Sequence, residues 1–142
     1  MFIVNVEAAI RNNEKWLIIE RSKKEEHAGG LLSLVGGKVE LEGNSKDILE
    51  RTLIREIYEE VGVEVRDELI YVHSTSFITD KGENVVDVVF LCEYDSGEVF
   101  PKSSNEVENV HWLTVEEMQQ NSKAPDYLID SIKKAELLIK RD

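Results

Sequence analysis

The sequence predicts an α/β fold, a mixed β-sheet with helices packed on it. Three observations carry this. Short apolar or alternating runs fill the first third of the chain and return between residues 64 and 94. Between them, residues 48–61 repeat at helical spacing. Two further helical patterns follow the last strand pattern. The order is strands, helix, strands, helices. At 142 residues, 42 % of them hydrophobic, the chain suffices for one domain, 1–142, with a sizeable core. No repeat, low-complexity tract or Pro/Gly/Ser-rich linker marks a boundary.

FIVNVEAAI (Phe2 to Ile10), the polar turn RNNEK and WLIIER (Trp16 to Arg21) read as a hairpin. SKKEEHAGG (Ser22 to Gly30) is a charged loop, and LLSLV (Leu31 to Val35) a short strand ending at a Gly36-Gly37 turn. KVELEGNSK (Lys38 to Lys46) is a loop in which Asn44 and Ser45 are expected to cap the next helix. That helix runs to about Val61, with Ile48, Leu49, Thr52, Leu53, Ile57 and Val61 toward a core and Gly62 as its C-terminal cap. EVRDELIYVHSTSFI and VVDVVFLCEY are strand patterns joined by the turn DKGEN, and VENVHWL is a later strand. Thr114 caps a short helix, VEEMQQ, and Pro125 starts the last helix, which runs to about Lys140.

A net charge of -12 repels bulk nucleic acid, whose binding needs a basic face. An anionic small substrate would need a cation as bridge. The single cysteine, Cys92, sits in an apolar stretch, reads as a buried small hydrophobe and suits a reducing cytosol. No apolar run approaches a membrane span, and the N-terminus, which contains Glu7, lacks the basic lead of a signal peptide. The expected location is cytoplasmic. Oligomeric state is open, a homodimer included.

REIYEEVGV, Arg55 to Val63, carries the chemistry. On a helix Glu56, Glu59 and Glu60 share a face, opposite Leu53, Ile57 and Val61. Like charges at these offsets repel, and anions are disfavoured near a helix C-terminus. Breaking two local rules together points to a functional site. Hard divalent cations such as Mg²⁺ take carboxylate oxygens. Arg55 can reach Glu59 one turn on and hold it. A solvated helix face is the plain alternative for paired glutamates taken alone.

The context of the glutamates decides against that alternative. A Gly-Gly turn, a loop, a capped helix and REIYEEVGV together resemble the Nudix hydrolase signature: Gly, five residues, Glu, seven residues, then R-E-U-x-E-E-x-G-U, with U a bulky aliphatic. The last nine positions match throughout, from Arg55 to Val63, and the box spans about a fifth of the chain. There is one departure. Nine residues, not five, separate Gly37 from Asp47, which stands seven residues ahead of Arg55. Either a longer loop puts Asp47 in the place of the first box Glu, or Gly43-Asn44-Ser45 match the usual Gly-Glu-Ser and Asn44 replaces it.

The resemblance implies an α/β/α sandwich and hydrolysis of a nucleoside diphosphate linked to another moiety, with Mg²⁺, or Mn²⁺, as cofactor. It implies Glu59 and Glu60 as metal ligands and Glu56 as ligand or as the base that activates water. Arg55 would orient the carboxylates, the carbonyl of Gly36 or Gly37 would complete the metal shell, and Gly62 would be structural. Glu106, with Glu108 second, is the later acidic residue such proteins add. Arg21 and Lys38 flank the site and could contact phosphate. His27 could approach substrate, while His73 and His111 read as half-buried strand residues. No Cys/His spacing suggests zinc, and no P-loop is present. The region FITDKGE lacks the proline of ADP-ribose hydrolases, so by subtraction the chain looks most like a nucleoside triphosphate pyrophosphohydrolase that releases monophosphate and pyrophosphate. The alternative is a non-catalytic Nudix module that binds nucleotide or protein.

Overall fold

The computed structural model describes residues 1–25 and 28–140. Strands β1 (Phe2–Asn12) and β2 (Lys15–Arg21) form the expected hairpin. They are followed by β3 (Leu32–Ser33), β4 (Val35–Lys38), α1 (Ile48–Val61), β5 (Glu64–Val65), β6 (Ile70–Ile78), β7 (Asn84–Ser96), β8 (Val107–Leu113), α2 (Val115–Gln119) and α3 (Asp126–Lys140). The sheet is mixed, as expected. β1 runs parallel to β7, while its pairs with β2 and β4, and the β2–β8 and β6–β7 pairs, are antiparallel.

Two apolar cores follow from the side-chain alternation of the strands. Val6, Ala8 and Ile10 of β1 face α1 and meet Leu53, Ile57 and Val61. Ala9, with Trp16, Ile18, Val89 and Leu91, faces the other way and meets Met118 of α2 and Leu128, Ile132 and Ala135 of α3. Burying each large aliphatic side chain stabilises by about 1.5–3 kcal/mol. The result is helix, sheet, helix: an α/β/α sandwich.

Three local expectations are corrected. LLSLV is not one strand. It splits into β3, paired with β2, and β4, paired with β1, so the chain changes partner at Leu34. Gly36 and Gly37 therefore lie inside β4 and make no turn. Glycine is needed there for close approach. A Cβ on Gly36 would sit 2.0 Å from the Val6 carbonyl oxygen, and one on Gly37 would sit 2.5 Å from Glu56 Cδ. Asn44 and Ser45 do not cap α1, which starts at Ile48 behind Asp47, a residue at φ 55 with no side-chain capping bond. Arg51 ties this end down from within, donating from Nε to the Lys46 carbonyl at 2.9 Å and pairing with Glu42 at 2.8 Å. The other helix ends follow expectation. Gly62, at φ 74, returns its N–H to the Tyr58 carbonyl, and Thr114 makes a full capping box with Glu117.

Candidate active site

Between residues 5 and 8, β1 takes β4 as its neighbour, while β2 leans on β3 and β8. The opening between the two groups is a cleft of about 360 Å³. α1 supplies Glu56 and Glu60 to its wall, β4 supplies Gly36, Gly37 and Lys38, β2 supplies Arg21, and the loop before β8 supplies Glu106. Seven of the residues singled out in the sequence, Arg21, Gly36, Gly37, Lys38, Glu56, Glu60 and Glu106, thus line one cleft.

The carboxylates of α1 do not share one environment, which corrects the single-face picture. Successive residues turn by about 100°. Glu56 and Glu60, four apart, stay close in angle and both enter the cleft, whereas Glu59 falls on the far side of Glu56. Glu60 is 5 % exposed and packs beside Ile57 and Val61. Glu56 is half-buried. Glu59 is exposed and points to Arg55, whose Nη1 lies 3.2 Å from Glu59 Oε2 and 3.1 Å from Glu56 Oε1. Arg55 thus links the cleft carboxylate to the solvent one.

Glu60 is pushed up to about 9, first by burial and then by the facing Glu106 and Glu56 carboxylates, with Arg21 opposing. Burial also raises Glu56, against the hydrogen bond from Glu60 and the Arg55 charge. Among the described residues, the buried Glu60 Oε2 has no hydrogen-bond partner. An orphaned buried oxygen costs about 1–3 kcal/mol and asks for a ligand. A divalent cation fits this demand, since carboxylate oxygens are its preferred donors. The Gly37 cradle against Glu56 leaves room that any side chain would fill. Among the described residues no three acidic, His or Cys side chains are already gathered to hold an ion. Recruiting Glu59 would require its Arg55 pair to open.

The segment after β7 fixes the far wall, and little in the residue pattern announces it. Phe100 lies against Gly62, where a Cβ would come within 2.6 Å of its ring, and donates its N–H to the Val61 carbonyl. Lys102 and Ser103 both donate backbone N–H groups to the Glu60 carbonyl, at 2.9 and 3.3 Å. The Lys102 ammonium sits 3.5 Å over the Tyr58 ring. Two bonds then carry the chain to Glu106, whose N–H goes to Ser103 and whose carbonyl accepts from Ser22. Glu106 is thereby delivered opposite Glu60, while Glu108 lies outside the cleft.

Other residues fall differently. Asp47 and Asn44 are both exposed and neither lines the cleft. Glu42 is the loop carboxylate that meets the basic side of α1, and its bond to Arg51 holds it below the usual range. Glu7, Glu25 and Glu40 line the cleft and were not singled out as site residues. Glu7 carried a legible signal, an acid inside an apolar strand. His73 and His111 are half-buried, as read, and His73 Nε2 lies 2.8 Å from Ser131 Oγ. His27 lies outside the described residues. Cys92 is buried, which pushes its thiol up to about 12 and leaves it inert. Among the described residues no helix is long and apolar enough to cross a membrane.

The comparisons agree with this geometry. The family model of the NUDIX domain matches residues 1–132. A MutT NUDIX hydrolase from Burkholderia pseudomallei superposes with a TM-score of 0.80 at 24 % identity, over 94 % of this chain and 98 % of that one. A MutT protein from Methanosarcina mazei Go1 gives 0.78 at 25 %, over 98 % and 96 %. The NUDIX domain of Shewanella oneidensis NrtR, solved with ADP ribose, gives 0.75 at 19 %, over 98 % and 89 %. No curated protein matches. With its box on α1, its sandwich fold and a family match over almost its whole length, the chain belongs to the NUDIX family, as a MutT-like member of a family of pyrophosphohydrolases.

Proposed function

We propose that this chain is a divalent-metal-dependent hydrolase of nucleoside diphosphate derivatives, with nucleoside triphosphates as its substrates and monophosphate and pyrophosphate as its products. The observation that supports this most is the pairing of Glu56 and Glu60 in a cleft with Glu106 opposite, where the buried Glu60 Oε2 has no hydrogen-bond partner among the described residues. Mg²⁺, or Mn²⁺ in its place, would neutralise phosphate oxygens and acidify a water there.

The chain's own residues have separate tasks in this reading. Glu60, Glu56 and Glu106 hold the cation, with the Gly37 carbonyl as a further donor. Glu59 would be a further ligand to the cation if its pair with Arg55 opened. Glu56, which keeps one oxygen on Arg55, is placed to take a proton from water, and Arg55 orients it. Arg21 and Lys38 meet the phosphate charge from the cleft's other wall. Asp47 and Gly62 support the helix ends. The cytoplasm, where nucleotides and Mg²⁺ are supplied and Cys92 stays a thiol, is the compartment this reading implies, and the whole chain acts as one domain.

The test is a panel of (d)NTPs, dinucleoside polyphosphates and nucleotide sugars with Mg²⁺ or Mn²⁺, products identified and water labelled with ¹⁸O. Monophosphate and pyrophosphate from a triphosphate are expected. Affinity without product would replace the enzyme by a binding module.

A further inference from the structure

The cleft has a second carboxyl pair that the metal half does not use. In β1, Asn5 and Glu7 alternate with Val6 and Ala8 and so belong to the face that α3 covers. Across the parallel register Asn5 pairs with Asp87 and Glu7 with Val89, so Asp87 lies diagonally beside Glu7 on that face. One step along, the same rows hold Ala9, Val89 and Leu91, an ordinary apolar core. Two acids therefore stand where core residues would have closed the wall.

Glu7 lines the cleft, while Asp87 sits behind it, 7 % exposed, with its Oδ1 meeting no donor from the other described side chains. Such burial is costly unless a proton or ligand compensates it. The proton is supplied within the pair. Burial first, then the hydrogen bond to Asp87, hold Glu7 well above the usual carboxylate range, and burial raises Asp87 as well, so the two acids share a proton. Glu7, which lines the cleft, offers its other oxygen there as an acceptor. Beside this pair, in the first turn of α3, Tyr127 is 55 % exposed and within electrostatic reach of Glu7, Arg21 and Asp87. An aromatic side chain of α3 thus stands within electrostatic reach of a carboxyl that lines the cleft.

We propose that Glu7, held by Asp87, accepts a hydrogen bond from an amino or imino N–H of the substrate's nucleobase and so sets base preference. This rests on the nucleotide-hydrolase reading above. Asp87 is a positioning residue. It holds one Glu7 oxygen and leaves the other toward the cleft. A Gln at position 7 preserves the pattern, since its amide N–H₂ can donate to Asp87 while its oxygen faces the base. An aliphatic residue cannot.

The experiment compares kcat/KM for ATP, GTP, CTP, UTP and purine ribonucleoside triphosphate, whose base carries neither an amino nor an imino N–H at its pairing edge. In the native protein the best of the four natural nucleotides should exceed the purine analogue by roughly tenfold or more, the worth of a hydrogen bond at a desolvated site. Glu7→Gln should keep that ratio within about threefold, while Glu7→Leu should bring it close to unity, mainly through KM. If Glu7→Leu does not fold, Glu7→Val, which suits a strand, carries the same expectation. A native ratio near unity, or a native ratio retained by the aliphatic variant, overturns the role of Glu7 alone. Hydrolysis of none of the five by native protein overturns the nucleoside triphosphate reading, and this inference with it.

Discussion

At the C-terminal end of α1, Glu60 is 5 % exposed, its carbonyl takes two backbone N–H groups, and Gly62 turns the chain under the Phe100 ring. At the N-terminal end, Asp47 is exposed in a left-handed conformation without a capping bond, and Arg51 ties the helix to its loop. The departure from the usual box spacing falls at the loose end. The intact residues fall at the tight one. A four-residue difference can be absorbed in an exposed loop at little entropic cost, whereas the backbone at the other end is held by the 100–103 segment on the Val61 and Glu60 carbonyls.

Changes at the tight end should be large. Glu60→Gln or Glu56→Gln should lower Mg²⁺-dependent turnover at least ~100-fold, because preorganised electrostatics is usually the largest catalytic contribution. Steady-state kinetics decide this, and a loss under about fivefold would move the metal site elsewhere. Glu59→Gln sharpens the comparison within the box. If Glu59 swings in to bind the ion, its loss should approach that of Glu60→Gln. If it stays on Arg55, the loss should be about tenfold less severe.

The glycines of β4 separate fold from site. Gly36→Ala forces a Cβ onto the Val6 backbone and should cost about 3 kcal/mol or more in denaturant unfolding. Gly37→Ala instead displaces a side chain, Glu56, so stability should change by less than ~1 kcal/mol while turnover falls roughly tenfold. Equal effects on stability would show that Glu56 is as fixed as backbone.

Stability against pH tests the buried carboxyl. A carboxyl whose folded value is raised from 4.5 to about 9 lends stability that is complete below the lower value and lost as pH rises through the upper one. Metal-free protein should therefore melt at progressively lower temperature from about pH 5 to pH 9. Glu60→Gln should flatten the decline, and Mg²⁺ should restore native Tm most at the alkaline end. Parallel curves for native and variant would remove Glu60 as the source.

The smallest effects belong to the loose end. Arg51→Ala removes an exposed pair with Glu42 and one bond to a carbonyl, and should cost about 0.5–1 kcal/mol with turnover within about threefold of native. Asp47→Asn should be quieter still, since the Asp47 side chain makes no capping bond. A large loss of turnover in Asp47→Asn would restore the view that it replaces the first box Glu.

The sequence by itself determined the order of elements, the helix at 48–61 with its glycine cap, and the motif that assigns the family. Those depend on residue spacing and local backbone preference, which a chain carries without its fold. It also marked Glu56 and Glu60. Only the tertiary structure decided that Glu59 stands apart from them, that Gly36 and Gly37 serve close approach instead of a turn, and that Glu7 and Asp87 form a pair. Each of these is set by where distant strands and loops meet: β4 leaving β3 for β1, the 100–106 segment docking on the Glu60 carbonyl, and β7 running beside β1. A carboxylate's partner and burial follow from such long-range contacts, so its chemistry is fixed only when the chain has closed around it.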